Sequence, residues 1–290
     1  MSNTTNNKNS RPVGIFDSGL GGLCAVREAM HILPGEDIIY FGDSGRVPYG
    51  SRSYDIIKKY ARQDIHFLIS KNVKIVLVAC GTVSSVALDY LKETFPDIPI
   101  IGVVETACEK AIKIANKTKN KNIGIIATEA TISRGAYQKY INKSDENREV
   151  YSKSCPLFVP LVEYGHIDRD NISDDITKLT AEKYLSGFKD LNLSSLILGC
   201  THYPLIKNTI DKVINGGENN HKTELIDVGL EAVYTLKKEL ETRNLLNNSN
   251  KNGGLDIYIS DEVLNFSKIA SNFLGFDIKS GVTKIDIEKY

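Results

Sequence analysis

Two cysteines stand where chemistry is favoured. Cys80 closes the apolar run KIVLVAC (74–80) and Cys200 closes SLILGC (195–200), and each is followed within two residues by a threonine, Thr82 or Thr201. If these runs are strands of an open α/β sheet, both thiols lie at carboxyl ends, where such sheets bind ligands. A helix N-terminus and free backbone N–H groups there lower a thiol's pKa and favour thiolate. His202 adds a titratable neighbour to Cys200. A group that is thiolate in one step and thiol in the next can take a proton from a carbon acid or return one. Cys24 and Cys108 fall inside helical patterns and Cys155 precedes a predicted strand, so these three read as core. The five cysteines include no CxxC pair, and an odd count argues against a complete disulfide framework. A zinc site made of Asp17, Cys80, Cys200 and His202 is disfavoured, because metal-binding cysteines come in closely spaced pairs.

Other strand ends carry polar groups as well. IFDSGLGG (15–22) places Asp17 and Ser18 at the end of the first predicted strand, with glycines that let the backbone turn tightly toward a ligand. It is neither the G-x-G-x-x-G of a dinucleotide site nor a phosphate loop with its lysine, so a small polar ligand fits better. RVPYGSRS (46–53) is a Pro/Gly loop bearing Tyr49 and Gly50, and TEAT (128–131) opens with Thr128 at a predicted helix start. Glu163 closes LFVPLVE, read as a strand.

The elements that must hold these residues alternate. Predicted strands are 12–17, 37–43, 74–80, 98–104, 122–128, 157–162, 195–200, 224–229 and 255–260. Several are apolar nearly throughout, as parallel strands covered on both faces are. Helical patterns lie between them. In 54–68, Tyr54, Ile57, Ala61, Ile65 and Leu68 recur at spacings of three and four. Alternation of this kind predicts βαβ units and mostly parallel sheets flanked by helices. The stretch 214–224 reads as a linker and 245–254 as a loop. The segments around Cys80 and Cys200 echo one another and lie roughly one domain length apart, which suggests a duplicated α/β unit giving one cysteine per copy. A chain of 290 residues accommodates two such domains. Lys+Arg and Asp+Glu balance at 36 each, so no global field recruits nucleic acid or an anionic membrane. No apolar run is long enough to span a bilayer, and the polar start MSNTTNNKNS lacks a signal peptide's apolar core. Residues 1–11 are expected to be a disordered tail, and the protein is expected to be cytoplasmic.

GIFDSGLGGL, YFGDSGRVPYGSRS, the VACGT segment, IGVVE, ATEATI, CPLFVPLVEYG and LILGCTHYPL resemble the successive blocks of the glutamate racemases, within the aspartate/glutamate racemase superfamily. The resemblance spans residue 13 to about 230, and LGCTHYPL is its most specific block. It implies two similar α/β domains, 1–105 plus 220–290 and 106–219, with the active site in the cleft between them. It implies a cofactor-independent, metal-independent racemase that interconverts L- and D-glutamate, supplies D-glutamate for peptidoglycan, and allows a homodimer. By position, Cys80 would act on D-glutamate and Cys200 on L-glutamate. Asp17 would assist Cys80, while His202 and Glu163 would assist Cys200. Ser18, Tyr49, Gly50, Gly81, Thr82, Thr128 and Thr201 would hold substrate through side chains or backbone. The family usually has Asn where this chain has Gly81, and commonly Pro where it has Thr106. The alternatives are a racemase for aspartate or another amino acid, and a non-catalytic amino-acid-binding relative. Binding alone needs neither cysteine.

Overall fold

The computed structural model describes residues 8–290 apart from 146–147, 170–171, 217–221, 250, 263, 265 and 279–280. The strands are β1 (Val13–Asp17), β2 (Ile38–Gly42), β3 (Ile75–Val78), β4 (Ile100–Gly102), β5 (Ile123–Ala127), β6 (Val150–Ser154), β7 (Ser195–Leu198), β8 (Glu224–Asp227), β9 (Leu255–Ile259) and β10 (Val282–Lys284). They form two sheets, in the orders β10-β9-β2-β1-β3-β4 and β6-β5-β7-β8, with every pairing parallel. Helices connect the strands, so each sheet is an α/β layer. The chain divides into two compact units, residues 1–102 with 232–290, and residues 103–231. Residues 222–231, expected in the first unit, belong to the second, because β8 pairs with β7 from Ser195↔Glu224 to Leu198↔Asp227.

The central strands are apolar because they are covered on both faces. Every residue of β1, β2, β3, β5 and β7 is buried. The helix Tyr54–Ser70 starts where the Ser53 hydroxyl accepts the Ile56 N–H at 3.4 Å, an N-cap. Its Ile57, Ala61, Ile65 and Leu68 pack into the first core with Phe16, Phe41, Val76 and Val78. Tyr54, predicted on that stripe, is instead exposed.

The most consequential misreading is the run 157–162. It is not a strand: Phe158–Glu163 is a helix, with Phe158 and Val162 buried one turn apart. The strand of this region is β6, just before Cys155, so Cys155 follows a strand where it was expected to precede one. The tail expectation also changes. Residues 1–7 lie outside the described residues, but Lys8–Ser10 form a 3-10 turn and the Asn9 carbonyl accepts a hydrogen bond from Lys74 at 2.5 Å. The predicted linker 214–224 lies partly outside the described residues. At its described ends Asn215 is bound to Thr223 N–H and carbonyl at 2.9 and 3.0 Å. Among the described residues no helix is long and apolar enough to cross a membrane.

Candidate active-site residues

Each unit repeats one topology: its second, first, third and fourth strands lie side by side in that order, as β2-β1-β3-β4 and as β6-β5-β7-β8. The order reverses between first and third strands, the position where open α/β sheets bind ligands beyond the carboxyl ends. Cys80 follows β3 and Cys200 follows β7, the third strand of each unit. Asp17 and Ser18 end the first strand of one unit, and Thr128 follows the first strand of the other.

In the first unit Cys80 is buried, and its Sγ lies 3.3 Å from the Ser18 hydroxyl. Burial, then the Asp17 charge, raises the thiol to about 12, against the opposing pull of Ser18 and of backbone N–H groups. The expected effect of a helix N-terminus is thus reversed here. The helix Gly81–Val86 is short, and desolvation outweighs what its end supplies. Asp17 is itself fixed, accepting the Gly22 N–H at 2.9 Å. Beneath this turn the Tyr40 hydroxyl donates to the Gly19 carbonyl at 2.7 Å. A side chain at Gly22 would come within 2.7 Å of the Asp17 Cβ, and one at Gly42 within 2.5 Å of the Gly19 carbonyl oxygen. Gly81 opens the helix after Cys80, and Thr82 is buried in its first turn.

In the second unit Cys200 is half-buried and leads into a turn and the 3-10 segment Tyr203–Ile206 rather than directly into a helix. Its positive neighbour is His202. The Cys200 Sγ lies 3.7 Å from His202 Nδ1, and Nε2 lies 3.0 Å from Glu163 Oε1. Burial alone would lower the imidazole, but the sulfur and the Glu163 carboxylate win and raise it to about 10. At neutral pH both ring nitrogens therefore carry a proton, one facing the Cys200 sulfur and the other the Glu163 carboxylate. Glu163 is presented by the helix Phe158–Glu163 rather than by a strand. Thr201 is buried beside the thiol.

Other predicted contacts are used internally. The Thr128 hydroxyl caps the helix Glu129–Arg134, accepting from Thr131 N–H at 3.4 Å. Tyr49 is buried, with its hydroxyl against the Asp43 carboxylate and 3.0 Å from Asp64, so its side chain is committed inward. Gly50 lies in the same 3-10 turn, Tyr49–Ser51, and is half-buried. Sequence reasoning missed Tyr40, Asp43, Arg46 and Asp64. The sequence signal for Asp64 was a carboxylate beside the apolar stripe of helix 54–70. Cys24, Cys108 and Cys155 are buried and in no disulfide, and burial pushes the Cys155 thiol to about 12. Among the described residues no group of three or more His, Cys, Asp and Glu is placed to hold a metal ion.

Paired thiols at equivalent strand ends of a doubled α/β fold define a class, and residues 25–235 match the family model described as Asp/Glu/Hydantoin racemase. The chain belongs to this family. It is 43% identical over 268 residues to the glutamate racemase of Chlorobaculum tepidum, covering 92% of this chain and 93% of that one. It is 40% identical over 281 residues to that of Thermoanaerobacter pseudethanolicus, covering 97% and 99%. Among solved structures it is similar to Francisella tularensis glutamate racemase in complex with D-glutamate, with a TM-score of 0.85, 39% identity, and 97% and 100% coverage.

Proposed function

We propose that the protein is a glutamate racemase that interconverts L- and D-glutamate without pyridoxal phosphate or metal, in the cytoplasm, supplying D-glutamate for peptidoglycan. Cys80 and Cys200 are its two acid/base groups, one for each enantiomer. With L-glutamate the Cys200 thiolate takes the α-proton and becomes a thiol. The carbanion then takes a proton from the Cys80 thiol on its opposite face, which leaves D-glutamate and a Cys80 thiolate. Proton exchange through solvent resets the pair, and the reverse sequence serves D-glutamate. A single thiol returning the proton to the face it came from would regenerate the starting enantiomer, so two are needed.

The observation that carries this reading is that thiols at equivalent strand ends of the two units each have a polar partner within reach, Ser18 at 3.3 Å from Cys80 and His202, backed by Glu163, at 3.7 Å from Cys200. Burial and Asp17 keep Cys80 a thiol, ready to donate. At Cys200 the sulfur faces His202, which Glu163 backs and which can pass protons to and from the thiol. The α-carbon is a far weaker acid than either thiol, so developing carboxylate charge must be met by fixed donors. Ser18, Thr82, Thr201 and nearby backbone N–H groups are the donors assigned to this task. Gly81, which replaces the family's usual amide, keeps a second reading in view, a preference for aspartate.

The test is a racemisation assay on L-glutamate, D-glutamate and L-aspartate without added cofactor. Glutamate turnover should survive exhaustive chelation, and product formed in deuterated water should carry deuterium at Cα. Cys80→Ala and Cys200→Ala should each lose racemisation. Activity lost on chelation and restored by zinc, or a single variant close to wild type, would overturn the mechanism. Activity confined to aspartate would overturn the substrate.

A further inference from the structure

The loop Val47–Ser53, which contains Tyr49 and Gly50, owes its shape to a residue just before it. Arg46 lies on the 3-10 turn Ser44–Arg46 that leaves β2, and its guanidinium reaches four side chains. Nε is 2.6 Å from Asp43 Oδ2, Nη2 is 2.9 Å from Asp64 Oδ1, and Nη1 is 2.6 Å from Gln63 Oε1 and 3.3 Å from Glu288 Oε1. Its planar face stacks 4.1 Å above the Tyr60 ring. Asp43 and Asp64 are fully buried, so they lack the solvent that would otherwise screen them.

Two buried carboxylates beside one cation repel each other, which favours a proton on one of them. The Tyr49 hydroxyl contacts both Asp43 Oδ2 and Asp64 Oδ2, yet it has one hydrogen. It can donate to only one carboxylate, and the other contact requires a proton on the acid. Burial, and then the neighbouring Asp43, push the Asp64 carboxyl well above the usual carboxylate range. Asp64, whose protonated form burial favours, lies 3.0 Å from the Tyr49 hydroxyl, which also contacts Asp43, and Asp43 pairs with Arg46. Each contact holds the next, which ties both ends of the turn 46–49 to the same cluster.

We infer that Arg46 is a positioning residue for the reaction: through Asp43, Asp64 and Tyr49 it sets the backbone of Val47–Ser53, and so the affinity for substrate, without touching the substrate. This rests on the proposed function only in taking that loop as part of the substrate site. A loop that holds substrate and transition state alike affects KM and leaves kcat alone. Lysine, a point charge without the planar fork, cannot reach the same set of partners.

The test compares wild type, Arg46→Lys and Tyr49→Phe, the last a milder change in case the first folds poorly. Arg46→Lys should raise KM for both enantiomers about tenfold or more with kcat within about threefold, and Tyr49→Phe should shift KM in the same direction by less. Amides of residues 49–52 should exchange hydrogen faster in both variants of the unliganded protein. An unchanged KM in folded Arg46→Lys, with only its Tm lowered, makes the cluster purely structural and overturns the inference. Unaltered exchange across 49–52 overturns it as well. If wild type does not racemise glutamate, the functional reading falls, and exchange alone decides the role of Arg46.

Discussion

Cys80 and Cys200 are the same residue type after the same kind of strand, and their surroundings give them different chemistry. At Cys80 desolvation dominates: with the thiol at about 12 rather than 9.0, the thiolate fraction at pH 8 falls about a thousandfold. At Cys200 the half-exposed sulfur has a cationic imidazole beside it, held by Glu163. Reaction with iodoacetamide requires thiolate. At pH 8, in the unliganded protein, Cys80 should therefore be alkylated at least about tenfold more slowly than Cys200, as read by peptide mass spectrometry. The sign of the pH dependence follows from a raised pKa, since less thiolate exists until the pH approaches that value. Labelling of Cys80 should keep rising with pH beyond 9 for as long as the fold holds. His202→Gln should slow labelling of Cys200 and leave Cys80 unaffected. Faster labelling of Cys80 than of Cys200 would overturn the account of Cys80 as a buried, protonated thiol.

At the level of elements, the turn after β1 is held by close packing against β2. Gly42→Ala would drive a Cβ to 2.5 Å from the Gly19 carbonyl oxygen, a backbone atom that cannot move without dragging Ser18. We expect a loss of about 1–3 kcal/mol in denaturant unfolding, together with reduced racemisation. Gly187→Ala, which meets nothing within 4 Å, should stay within about 0.5 kcal/mol of wild type. Equal stabilities for the two variants would refute the close-packing account. The same elements show what the sequence made legible. Buried parallel strands such as β1, VGIFD with Ile15 and Phe16 at its centre, announce themselves because both faces need apolar residues. Two of the edge strands do not: β6 is VYSKS, half-exposed and polar, and β10 is three residues with an exposed lysine. Both suit a sheet edge that must not pair with another chain, and neither carries an apolar signal. Phe158–Glu163 was misread because six apolar-rich residues fit a strand or one and a half helical turns equally well. At the site, strand-end cysteines and His202 were legible from position. Asp43, Arg46 and Asp64 were not, since their meeting depends on how a helix packs against a loop.

For the whole molecule, a substrate that binds only the native state stabilises it by mass action. Glutamate at a hundred times its Kd adds about 2.7 kcal/mol to folding. The expected result is a Tm raised by several degrees with glutamate and less with aspartate at equal concentration; the reverse order would point to the aspartate reading. The arrangement of the chain has another consequence. The second unit is inserted between β4 and β9, and the last strands return to complete the first sheet beside β2. Gly254 donates to Asp37 across 217 residues of sequence. On a ribosome adding about 5–20 residues per second, β2 therefore waits on the order of ten seconds or more with its hydrogen-bonding edge open. The five buried residues of β2 are β-rich and apolar, the kind of edge to which another nascent chain can add. The N-terminal part of this protein is thus born in need of protection, and its sheet closes only when the C-terminal strands emerge.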